Sequence, residues 1–189
     1  MDERYLLALD EAAGQHALVT RTRARAVGLT DRMIDLALAD GFLIPVWREV
    51  FRVRGAPQTE RMAMAAAALG AVGHASDSTA ARLLQLGAPL PLTPLHVSVD
   101  VIHQHPRSRV VPIEIETVGF FPVTVHRRSA VAATVLTIDG IPCADAARTL
   151  IDIAPSLAVD DLEDAFERAR RLGLVSTAGL ATGCRPSAI

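Results

Sequence analysis

The chain has 189 residues, half of them apolar, and a formal net charge of −2. That balance excludes a largely disordered chain and a polycation, so any nucleic-acid surface has to be a local patch. All 19 basic residues are arginine, and without lysine a phosphate-binding P-loop and Schiff-base chemistry are both closed.

In chain order, Tyr5, Leu6, Leu9 and Ala13 form a helical apolar stripe over residues 4–13, stopped at Gly14. Thr20 is a good N-cap for a helix from Arg21 to Val27, which Gly28 closes as the residue past its end. Leu29 is placed to plug the core. Thr30 caps a third helix running to about Ala39, with Asp31 at its positive end and Ile34, Ala37 and Leu38 inward. The period then changes, and FLIPVWREVFRVRG reads as strands Phe42–Val46 and Val50–Arg54 around a turn at Trp47-Arg48-Glu49. In the second strand Phe51 and Val53 alternate with Arg52 and Arg54, as in a strand with one wet face. Three helices followed by a β-hairpin is the order of a winged helix-turn-helix, expected over residues 1–56.

GAPQT, residues 55–59, reads as a linker. Beyond it come a helix at Glu60–Leu69 and another capped by Ser76 or Ser78. The strand patterns LHVSVDV, VVPIEIETV, FPVTVHR and TVLTIDGIP follow, then helices in DAARTLIDIA and VDDLEDAFERARRLGL. Residues 57–189 are therefore expected to form a second, mixed α+β domain, which makes the whole chain α+β.

A helix-turn-helix sets its second helix in the major groove and its first across the backbone. Arg21 and Arg25 share a helix face and are placed for phosphates, and Arg23 lies on another. Thr30, Asp31, Arg32 and Asp35 are the outward positions of the third helix, with Arg32 the candidate for guanine. Asp35 is positioned to pair with Arg32. Arg48, Arg52 and Arg54 supply a basic wing. Residues 15–55 hold seven arginines against four acids, a patch rather than a basic domain. Asp31 and Asp35 favour a rival reading, in which the module binds a protein partner and never touches DNA.

The run HALVTRTRARAVGLTDRMIDLALADGFLIPVWREVFRV resembles the N-terminal winged helix of AbiEi-type antitoxins, the regulators of type IV toxin–antitoxin systems. ASDSTAARLLQL, VTVHRRS and TIDGIPCADAARTLIDIA are similar to the segments that follow it, so the resemblance covers about residues 5–180. It implies a repressor that binds inverted repeats in its own promoter and whose functional partner is a nucleotidyltransferase-like toxin; a dimer or cooperative pair on DNA is expected because a single winged helix reads few base pairs. The antitoxin activity would lie in the second domain. Carried over by position, the DNA-facing set is Arg21, Arg23, Arg25, Thr30, Asp31, Arg32 and Asp35, with Arg48 and Arg52 on the wing. Two positions depart from the pattern. The wing turn, usually Arg-Gly-Val-Tyr, is here Arg48-Glu49-Val50-Phe51, and Asp77 stands where a histidine is usual. Some members carry an endonuclease-like domain further on; no catalytic lysine is present, and no nuclease activity is expected. A shortened descendant of such a protein is a third reading.

No catalysis and no cofactor are expected. His103-Gln104-His105 has the spacing of a metal-binding strand pair, with no further ligand nearby, and reads as a solvated loop. His126 reads as an exposed edge residue beside Arg127 and Arg128. Ser76-Asp77-Ser78 reads as a helix cap rather than part of a triad, and Arg148 and Asp152 as an intrahelical pair. Cys143 and Cys184 read as free thiols, with one disulfide the alternative. MDERYLLALDE is acidic where a signal peptide is basic, and RMAMAAAALGAVG is too short to span a bilayer, so a cytoplasmic protein with no membrane partner is expected.

Overall fold

The structure, a computed structural model, describes residues 3–100, 111–115, 119–128 and 134–175. It is a mixed α+β protein. Helix α1 (Glu3–Ala13) leads into a short strand, β1 (Leu18–Thr20), then α2 (Arg21–Ala26) and α3 (Asp31–Ala39). Thr20 and Thr30 accept the N–H groups of Arg23 and Met33, the capping bonds their positions predict. Gly28 takes φ 95°, a conformation open to glycine, and lets α2 and α3 follow one another closely. Tyr5 Oη donates to Met33 O at 3.0 Å, fixing α1 against α3.

Strands β2 (Leu43–Trp47) and β3 (Val50–Val53) complete a three-stranded antiparallel sheet in the order β1-β3-β2. Val19, Leu43 and Phe51 pack with Ala12, Ala24, Ile34 and Ala37 of the helices and with Leu29 of the connection between α2 and α3. Leu18, Val50 and Trp47 instead join the larger core of the rest of the chain. This sheet is therefore buried on both faces, and the apolar core is continuous across residues 55–59.

Helix α4 (Glu60–Ala71), capped by Thr59, makes that continuity possible. It buries Met62, Met64 and alanines on every side, as a fully enclosed helix does. It touches β1, β2 and β3 as well as β4 (His74–Ala75), β5 (Leu95–Asp100) and β9 (Ile141–Ala144). The small side chains let backbones approach closely, and a Cβ at Gly73 would stand 2.3 Å from Ser98 O.

With β6 (Val111–Ile115), β7 (Gly119–Arg128) and β8 (Val135–Ile138), these strands form a six-stranded mixed sheet, ordered β6-β7-β5-β4-β9-β8. β5 runs parallel to β7, with Ser98 opposite His126. Leu95, Val97, Val99, Val123 and Val125 are core, so the intervening His96, Ser98, Thr124, His126 and Arg128 share the opposite face. Helices α5 (Asp77–Leu83), α6 (Ala146–Ile153, capped by Asp145) and α7 (Val159–Arg171) complete the fold. Cys143 is a buried free thiol, pushed up to about 12 by burial, and is chemically quiet. Cys184 lies outside the described residues, as do His103 and His105. Among the described residues no helix is long and apolar enough to cross a membrane.

Candidate nucleic-acid interface

The residues assigned to DNA fall into three groups. Arg21, at the start of α2, is enclosed by carboxylates: its Nε is 2.5 Å from Glu49, and its terminal nitrogens are 3.0 Å from Asp31 and 3.0 Å from Asp35. Its backbone N–H also donates to Glu49 O, at 3.0 Å, so the hairpin turn is tied to α2 twice. Arg25 takes the other side of Asp31, at 2.6 Å. The guanidiniums of Arg25 and Arg21 hold the Asp31 carboxyl below the usual carboxylate range. Arg23 turns away and reaches Glu11 of α1 at 3.3 Å. All three arginines of α2 are thus neutralised within the chain. Asp35 pairs with Arg21 rather than with Arg32, its expected partner.

Arg32 is the exception. It is exposed on α3 and makes no ion pair among the described residues. Leu36, one turn on and on the same face, is 51% exposed. Thr30 uses its hydroxyl oxygen as the cap of α3 and keeps a proton to donate.

The wing positions differ from the expectation. Arg52 is only 8% exposed, because β3 is the central strand and α4 lies across its second face. Strand alternation suggests a wet side wherever polar residues alternate, and here that side is covered. Arg48 lies over the Trp47 ring, 4.4 Å from its centroid, and donates to Gly70 O at 3.3 Å. Burial lowers its affinity for its proton. The positive φ of the turn falls on Arg48, at 50°, and not on Glu49, so the missing glycine at position 49 leaves the turn intact.

A second polar group lies on the six-stranded sheet. His126 is half-buried on β7, an interior strand, and not at an edge. Its Nε2 is 2.8 Å from His96 Nδ1 of β5 and 3.7 Å from the Asp77 carboxylate at the start of α5. Burial holds both imidazoles below their usual range, so both are neutral at neutral pH. Arg128 donates to Asp77 at 2.9 Å and also to Asp152, which Arg148 holds at 2.6 Å from the other side. The Arg148–Asp152 pair is therefore part of a network and not an isolated surface pair. Ser76 stands at the N-cap position of α5 but makes no capping bond, and Ser76, Ser78 and Ser98 all have buried hydroxyls without a hydrogen-bond partner. Sequence reading missed this group, because its members come from four separate elements.

In comparison with known proteins, no protein-family model matches the chain and no curated protein matches it.

Proposed function

We propose that residues 1–56 are a winged helix-turn-helix, and that the protein is a DNA-binding transcriptional repressor. In this reading it serves as the antitoxin of an AbiEi-type pair, with a nucleotidyltransferase-like toxin as its functional partner. The observation that carries the proposal is the arrangement of α2, the close Gly28-Leu29 connection and α3, beside a β2–β3 hairpin in the sheet order β1-β3-β2. That arrangement leaves the outer face of α3 at the surface, with an unpaired Arg32 on it. A single module reads few base pairs, so two copies occupy an inverted repeat.

The test is fluorescence anisotropy with the duplex upstream of the gene, against a scrambled duplex, over a range of salt. Preference for the upstream duplex is expected, with log affinity falling by about 0.9 per unit log salt for each phosphate neutralised. Arg32→Ala is expected to weaken specific binding by about 1–3 kcal/mol, the range for a bidentate arginine–guanine contact. Unchanged binding by that variant removes α3 from the major groove.

The carboxylates around Arg21 and Arg25 supply a second test. Replacing Asp31 and Asp35 together with asparagine frees Arg25 for phosphate and leaves Arg21 with Glu49 alone. The double variant is expected to bind DNA more tightly, with a salt slope steeper by roughly one phosphate. An unchanged slope means that α2 does not lie along the backbone.

One observation favours the rival reading, a module that binds a protein: Leu36 is half-exposed on the same face as Arg32. If the upstream duplex is not preferred even at low salt, and Leu36→Asp abolishes co-purification with the toxin, the surface belongs to a protein partner.

A further inference from the structure

We propose that Asp77, His96 and His126 form a binding site for one divalent transition-metal ion of the zinc class. Two imidazole nitrogens and one carboxylate oxygen are brought together from α5, β5 and β7, all within 4.8 Å of one another. Ligand atoms about 2.0–2.1 Å from a tetrahedral zinc ion stand about 3.3 Å apart. The two separations of 2.8 Å and 3.7 Å bracket that spacing, so small side-chain rotations close the site around an ion.

The ligand set selects the class. Imidazole with a single carboxylate suits zinc and its late first-row neighbours, whereas magnesium and calcium require oxygen-rich shells. Without an ion, the facing nitrogens of His96 and His126 share one proton. When the ion binds, both nitrogens give their lone pairs to it. The shared proton moves to the other nitrogen of the ring that carried it, so no net proton is released by that step.

The surroundings fit such a centre. Arg128 donates to both oxygens of Asp77, at 3.2 Å and 2.9 Å, and orients the carboxylate as an outer partner. Asp152, itself held by Arg148, holds Arg128 in turn. Ser98 is 1% exposed with an unpartnered hydroxyl, two residues from His96 on the same strand and opposite His126. That hydroxyl lies on the ligands' face of the sheet and can hydrogen-bond a water completing the coordination. The His126 side chain is 30% exposed, which leaves a route for ion and water.

The experiment uses the full chain, stripped of metal by a chelator and titrated with Zn2+ against a chromophoric competitor. One Zn2+ per chain is expected, undisturbed by millimolar Mg2+, and Co2+ in its place is expected to give the visible absorption of a four- or five-coordinate centre. His126→Gln and Asp77→Asn, each checked for native circular dichroism, are expected to weaken Zn2+ binding by roughly 100-fold or more, since even outer-shell losses cost 10–100-fold. Replacing His103 and His105 together with alanine is expected to change nothing. The proposal is overturned if the wild-type chain does not compete for Zn2+, if binding survives in both the His126 and Asp77 variants, or if it disappears with His103 and His105. The thermal midpoint is a separate readout: Zn2+ is expected to raise it in the wild type and not in His126→Gln. None of these results depends on DNA binding.

Discussion

Trp47→Ala is expected to lower the free energy of unfolding by about 3–5 kcal/mol, the cost of emptying a buried aromatic site. Trp47 is the last residue of β2, 6% exposed, and its ring lies against Gly70 of α4 so closely that a Cβ there would stand 2.5 Å from it. The Arg48 guanidinium covers the ring from outside. The loss is therefore felt at the contact between the hairpin and α4. Denaturant unfolding followed by far-ultraviolet circular dichroism measures it, since the variant lacks the chain's only tryptophan. Trp47→Phe keeps most of the packing and removes an indole N–H that has no partner, so its cost should stay below about 1.5 kcal/mol. Gly70→Ala supplies the complementary arm. Alone it forces a methyl group into the ring; combined with Trp47→Ala it partly fills the void. The two changes should depart from additivity by about 0.5 kcal/mol or more. Strict additivity would mean that the ring does not rest on Gly70.

The second large effect is expected at Asp152. Its side chain is 4% exposed and holds Arg128 and Arg148 at once. Asp152→Ala leaves two largely covered guanidiniums without their shared carboxylate. Breaking a buried pair costs about 3–5 kcal/mol, and the lower end applies because both arginines keep about a quarter of their surface in water. Thermal or urea unfolding is the measurement, and a change below about 1 kcal/mol would place this network with ordinary surface pairs.

Local chemistry made most element boundaries legible. Thr20 and Thr30 each cap a helix with the side-chain bond their position predicts, and Gly28 takes the positive φ that ends α2. The three-residue β1 was not legible, because three residues carry no period. Facts of pairing order were equally hidden. The alternation around Arg52 is that of a half-exposed strand, yet β3 lies between β1 and β2 with α4 across it. His126 looked like an edge residue because nothing local announces that β7 pairs with both β5 and β6. In the candidate DNA surface, residue types were readable and partners were not. Arg21 and Arg25 have free charges in the sequence; folding brings Asp31, Asp35 and Glu49 to them.

The sheet enclosed from both sides has a practical meaning for anyone dissecting the gene. A fragment ended at Gly55 keeps α1 to α3 and β1 to β3 but strips α4 from Leu18, Val50 and Trp47. Those side chains then meet water as one contiguous apolar surface, and such fragments self-associate. Residues 3–55 are therefore not a detachable module. Fusions and crystallisation fragments that include them should extend at least through Ala71, the end of the helix that closes the second face of the sheet.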